Sequence, residues 1–202
     1  SPNVKLMTMA PETDPNGRLL EALGQRGVLA FAGHTQANQQ HLLQAKQRGL
    51  LGVSHVFNAM DGFTHRQPGT ALYALNDDSL CLSLIADGAH VHPEVLRLVM
   101  KLAGPDRLLL VSDASPLADS PDGHQGVFGE QTVTHRGQQA VNQEGKLAGS
   151  IAMLDAMVRN MVAWGICGFE QAVQMATTNP ARLLRLDGEY GAIHPGCRAD
   201  LV

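Results

Sequence analysis

Each of the five apolar runs before residue 113 ends in a residue able to do acid-base or metal chemistry: Glu12, His34, His55, Asp87 with His90, and Asp113. Neutral imidazole is the commonest side-chain ligand for a divalent cation. A cation of that kind lowers the pKa of its water towards roughly 7, so that hydroxide can attack an otherwise inert carbonyl carbon. A carboxylate close by can take the proton and return it to a poor leaving group. One histidine after a strand is more often a satisfied structural group than a ligand. Two histidines and an aspartate at corresponding ends of three strands point to a metal-assisted hydrolytic site, because successive strands of a parallel β/α barrel bring their carboxyl ends to one face.

The elements that must position these residues are legible from hydrophobic patterning. Residues 4–9, 28–32, 51–56, 80–86 and 108–111 are short apolar runs, continuous rather than alternating, as strands covered on both faces should be. Residues 17–25, 37–48 and 93–102 between them carry apolar side chains at helical spacing, as in Val95, Leu98, Val99 and Leu102. Gly27 and Gly49 sit where helix ends want a residue able to take positive φ. The alternation predicts a parallel sheet with right-handed crossovers. Residues 116–148 change character, with glycines at 123, 126, 129, 137 and 145 separating short alternations, which predicts one or two hairpins. Helical spacing returns at Ile151, Leu154, Met157, Val158 and Met161, then over 169–175 and 181–186, with Pro180 suited to a first helical position.

The chain has 202 residues, 44% hydrophobic and 17% charged, enough apolar surface for a real core and one continuous domain. A net charge of −4 without a basic run argues against nucleic-acid or membrane partners, and 4% aromatic residues is too few for a stacking platform. Cys81, Cys167 and Cys197 are scattered and odd in number, so neither a disulfide framework nor a thiolate metal site is indicated. No apolar stretch reaches the length of a membrane helix and no signal-peptide plan opens the sequence, which makes the cytoplasm the expected compartment.

The segments Met9-Ala10-Pro11-Glu12, Ala32-Gly33-His34-Thr35, Ser54-His55-Val56-Phe57-Asn58-Ala59-Met60, Ala86-Asp87-Gly88-Ala89-His90-Val91, Val111-Ser112-Asp113-Ala114, Leu147-Ala148-Gly149-Ser150 and Asn179-Pro180-Ala181 occur in an order and spacing that resembles the N-acetylglucosamine-6-phosphate deacetylase family of the amidohydrolase superfamily. The resemblance implies an α/β fold of the (β/α)8 TIM-barrel type of the metal-dependent hydrolases, here with only about five barrel strands and a hairpin insertion at about 116–148. Residues 1–198 would form this partial barrel, and 199–202 would start a strand of a small β-sandwich. It further implies hydrolysis of the acetamide of N-acetylglucosamine 6-phosphate to glucosamine 6-phosphate and acetate. N-acetylgalactosamine 6-phosphate is the alternative substrate, and an inactive fragment with residual metal or phosphosugar binding is the alternative outcome.

Carried over by residue, the resemblance makes His34 and His55 ligands of a catalytic divalent metal, zinc first with iron, manganese or cobalt as alternatives. Asp113 becomes the catalytic proton carrier and His90 the substrate-contacting histidine. The backbone N–H groups of Asn58 and Ala59 with the guanidinium of Arg66 would hold the phosphate, and Ile151 or Met153 would pack over the acyl group. Glu12 takes a supporting role, since the family's metal carboxylate lies in a separate upstream segment. The expected assembly is a homodimer or homotetramer of the full-length enzyme acting on a small phosphosugar. Because five parallel strands cannot close such a barrel, the first and fifth are expected to keep unpaired outer edges.

Overall fold

The structure, a computed structural model, describes residues 3–201; Ser1, Pro2 and Val202 lie outside the described residues. All five apolar runs become parallel strands, β1 (Leu6–Met9), β2 (Leu29–Ala32), β3 (Leu50–Val53), β4 (Cys81–Leu84) and β5 (Leu108–Leu110). Their order in the sheet is their order in the chain, so among the described residues β1 and β5 are the two edge strands of an open parallel sheet. The crossovers are α1 (Arg18–Gln25), α2 (Gln39–Gln47), α3 (Gly69–Leu75) and α4 (Pro93–Ala103). Of these, α3 has no counterpart in the sequence-based expectation: it has seven residues and no side-chain cap, so little local pattern announces it.

One face of the sheet carries the core. Ala30 and Ala32, Leu50 and Val53, Leu82 and Leu84, and Leu108 and Leu110 are all buried in a single cluster with Leu20, Leu23, Leu96, Val99, Met157 and Met161 from the helices. Dense burial of aliphatic side chains, at about 25 cal/mol per Å² removed from water, is the main force holding helices to strands. Gly52 lets β3 approach its neighbours, for a Cβ there would stand 2.4 Å from the Cys81 carbonyl oxygen and 2.6 Å from the Phe31 ring. His92 serves as the N-cap of α4, accepting the Glu94 N–H on Nδ1 at 3.2 Å. All three cysteines are free, and no helix among the described residues is long and apolar enough to cross a membrane.

The insertion is an antiparallel meander of three strands, β6 (Gln125–Phe128), β7 (Gln131–Arg136) and β8 (Gln139–Asn142). Its two turns place Gly129 and Gly137 at φ 61°, the left-handed conformation that tight hairpin turns require. Val133 and Ala140 form a small second core with Leu117, and Ile151 packs against it.

After the meander come α5 (Leu154–Ala163), α6 (Phe169–Ala176) and α7 (Thr178–Leu183). Helix α7 begins at Thr178, so Pro180 is its third residue rather than its first; its missing N–H is one of the four a helix start leaves unbonded in any case. The Asn179 side chain, 4% exposed, donates to the carbonyls of Pro105 at 2.7 Å and Leu108 at 2.8 Å, docking α7 on β5. Residues 199–201 form no strand, and Val202, the last residue of the expected sandwich strand, lies outside the described residues.

Candidate active site

Ala32 pairs with Val53 across β2 and β3, so the second residues beyond them, His34 and His55, emerge at matched heights on the rim. Their rings meet edge to face, centroids 4.9 Å apart and planes at 82°. Thr8, Ser54, Ser83, Val111 and Asp113 line the same cavity of about 310 Å³ with the two histidines. His34, His55 and Asp113 all take left-handed backbone, at φ 48°, 31° and 47°. For a residue with a Cβ that conformation costs roughly 1–2 kcal/mol, strain of the kind that collects at functional sites.

Neighbouring loops hold these conformations. The His55 N–H donates to the Ser83 hydroxyl at 2.7 Å, and the Thr8 and Ser54 hydroxyls lie 2.7 Å apart under the rim. Gly33 has no room for a side chain, since a Cβ would stand 2.5 Å from the Thr8 methyl. The Glu12 carboxylate accepts the Thr35 hydroxyl and, at 2.7 Å, the Gln36 N–H, which fixes the loop just after His34. Burial raises the Glu12 pKa, but these hydrogen bonds outweigh it and hold the carboxyl below its usual range. Thr35 N–H in turn donates to the Ala59 carbonyl at 3.0 Å, joining the loops after β2 and β3.

Burial lowers the His55 pKa, reinforced by His34 and opposed by the His55 and Asn58 backbone and by Asp113. The neutral imidazole that results is the form able to bind a metal. Its Nδ1 is the one buried side-chain nitrogen or oxygen among the described residues with no hydrogen-bond partner. An orphaned buried polar atom of this kind calls for a partner from outside the chain.

Other expected site residues lie outside the cavity lining: Asn58, Ala59, Arg66, His90, Ile151 and Met153 are not among it. Asn58 braces its own turn, its N–H donating to the His55 carbonyl at 2.9 Å and its side chain to the carbonyls of His55 and Val56. The Asn58 N–H is therefore engaged within its own turn. Arg66 is exposed in the loop before α3. Met153 is 46% exposed at the start of α5, whereas Ile151 is half-buried against the meander.

Residues 23–202 match the amidohydrolase family. The chain belongs to the amidohydrolase family. It is 37% identical to the N-acetylgalactosamine-6-phosphate deacetylase of Escherichia coli O157:H7 over 98% of this chain and 52% of that protein. It is 35% identical to the N-acetylglucosamine-6-phosphate deacetylase of Bacillus subtilis (strain 168) over 98% of this chain and 50% of that protein. Among solved structures, an N-acetyl-D-glucosamine-6-phosphate deacetylase mutant from Mycobacterium smegmatis, in complex with N-acetyl-D-glucosamine-6-phosphate, superposes with a TM-score of 0.90 at 31% identity. That match covers 98% of this chain and 52% of the other. The chain spans about half the length of the curated relatives it matches.

Membership in the amidohydrolase family implies a divalent metal. The paired imidazoles and the orphaned His55 Nδ1 are donors of the right kind for one. Among the described residues no group of three or more His, Cys, Asp or Glu side chains comes together at ligating distance, so the two histidines stand as a pair.

Proposed function

We propose that this amidohydrolase removes the acetyl group of N-acetylglucosamine 6-phosphate, giving glucosamine 6-phosphate and acetate. The meeting of His34 and His55 edge to face on adjacent strand ends, in one cavity with Asp113, carries the proposal. Its substrate comes from the similarity to deacetylases of N-acetylhexosamine 6-phosphates.

His34 and His55 would hold the divalent metal, zinc first because imidazole and oxygen donors suit it. When bound, such a cation supplies Lewis acidity and makes water a nucleophile at neutral pH. Asp113 takes the proton of the attacking water and delivers it to the amide nitrogen as the C–N bond breaks, since an amine leaves badly unless protonated. His90 orients the sugar or its acetyl carbonyl. The loop amides at Asn58 and Ala59 and the Arg66 fork bind the phosphate, a planar guanidinium matching its oxygens in pairs. Met153 and Ile151 border the acyl group. The 37% identity to an N-acetylgalactosamine-6-phosphate deacetylase supports the galactosamine epimer as a second reading.

The deciding experiment measures acetate release by metal-loaded full-length protein on the two phosphorylated epimers and on free N-acetylglucosamine. Preference for a phosphorylated sugar by at least about tenfold in kcat/KM is expected, with Arg66→Ala eroding that preference mainly through KM. No release from either phosphosugar, or equal rates on free N-acetylglucosamine, overturns the proposal.

A further inference from the structure

Beyond the cavity, a polar cluster joins the loop after β4 to the segment between β8 and α5. Asp87 Oδ2 lies 2.7 Å from His90 Nδ1 and accepts the Ser150 hydroxyl at 2.9 Å. Asp87 Oδ1 accepts the N–H groups of Ala89 at 2.9 Å and His90 at 2.8 Å. Four donors converge on one carboxylate, filling its acceptor capacity. The side chains of His90 and Asp87 are only 6% and 5% exposed.

The turn that carries them is held from behind. Asn160 donates to the Ala86 carbonyl at 2.9 Å, and Gly88, at φ 78°, leaves 3.2 Å between the position of a Cβ and the Trp164 ring. Ser150 also reaches the other way. Its N–H donates to the Asp113 carbonyl at 2.8 Å, and its carbonyl accepts the Ser115 N–H at 2.7 Å. Gly149 permits this approach, for a Cβ there would stand 2.9 Å from the Asp113 carbonyl oxygen.

We propose that Asp87 is a positioning residue that fixes the tautomer and aim of His90, and that Ser150 couples this pair to the backbone bearing Asp113. A carboxylate can only accept, so the ring proton sits on Nδ1 and Nε2 is the atom presented to substrate. Through Ser150, the substrate-contacting histidine and the proton carrier share one rigid support, which keeps the two ends of the scissile amide in register. Burial raises the Asp87 pKa, but the His90 and Ser150 bonds more than offset it, so Asp87 remains ionised and accepting. The role in catalysis rests on the proposed deacetylase reading, whereas the tautomer does not.

The test uses metal-loaded full-length protein and two readouts, the nitrogen-15 shifts of the His90 ring at mildly alkaline pH and kcat on the phosphosugar. Asp87→Asn keeps an oxygen for the two backbone donors and replaces Oδ2 by an NH2 that must donate to Nδ1, so the ring proton should move to Nε2. We expect Nδ1–H in the wild type, Nε2–H in Asp87→Asn, and a loss of kcat of at least about thirtyfold with KM changed far less. Ser150→Ala should keep the wild-type tautomer and lower kcat by roughly threefold or more. An Nε2–H ring in the wild type overturns the proposal, as does wild-type kcat in Asp87→Asn. If Asp87→Asn does not fold, the wild-type tautomer and Ser150→Ala decide, and unchanged kcat in Ser150→Ala refutes the coupling. A wild type that holds Nδ1–H but releases no acetate defeats the deacetylase reading alone.

Discussion

His34 and His55 face each other because each stands two residues beyond a register partner, Ala32 and Val53, and each turns into left-handed backbone at the same height. The strain of that turn is measurable apart from any chemistry. Replacing His34 with glycine removes the penalty, whereas alanine keeps it, so His34→Gly should be more stable than His34→Ala by about 1 kcal/mol. Urea unfolding of the pair checks this, and equal midpoints would show that the left-handed turn costs nothing.

Asp113 shares the cavity of the histidines without forming a three-residue ligand group with them. Asp113→Asn should therefore lower kcat by at least about a hundredfold, because an amide cannot carry the proton. Metal content by elemental analysis should stay close to wild type. Parallel loss of metal and activity would make Asp113 a ligand instead.

Ser83 supplies the acceptor for the His55 N–H. Ser83→Ala leaves that N–H without a partner beside a buried ring, which should cost about 1–3 kcal/mol of stability. Looser metal retention against a chelator should accompany it. Denaturation together with a chelator titration gives both numbers, and wild-type values in each would show that Ser83 is dispensable.

Away from the site, Lys46 lies 2.5 Å from Asp77, and Ser79 donates to the same carboxylate at 2.6 Å. Burial raises the Asp77 pKa, yet these bonds together outweigh it and bring it down to about 2 from 3.8. A depressed carboxylate pKa means that the folded state holds its proton less tightly, so the added stability is complete above pH 3.8 and disappears as pH falls to about 2. Because the pair is partly open to solvent, its value is about 1 kcal/mol. Asp77→Asn should be less stable than wild type by that amount at neutral pH and match it near the acid end, as urea midpoints across pH would show.

The sheet was readable because continuous apolar runs such as Leu108, Leu109 and Leu110 have one economical fate, burial between layers. That the two histidines and Asp113 meet at one cavity was readable because parallel strands all point their carboxyl ends one way. What patterning missed is non-local. Ser83 under His55, Thr35 under Glu12 and Ser150 between Asp87 and Asp113 are ordinary hydroxyl residues whose partners lie 28, 23 and 63 residues away. Nothing in their immediate neighbours distinguishes them from loop serines and threonines. The left-handed backbone at His34 and His55 was hidden for a related reason: glycine advertises positive φ, and histidine does not.

The docking of Asn179 on β5 also sets an order of events for a chain made on the ribosome. Leu108 emerges 71 residues before the carboxamide that will cover its carbonyl. At roughly 5–20 residues per second, that carbonyl stays uncovered for about 4–14 s while the meander and the last helices are still being made. During that interval the nascent strand is a template for any passing strand, so a molecular chaperone holding this stretch would guard the moment when the protein is most easily diverted into aggregates.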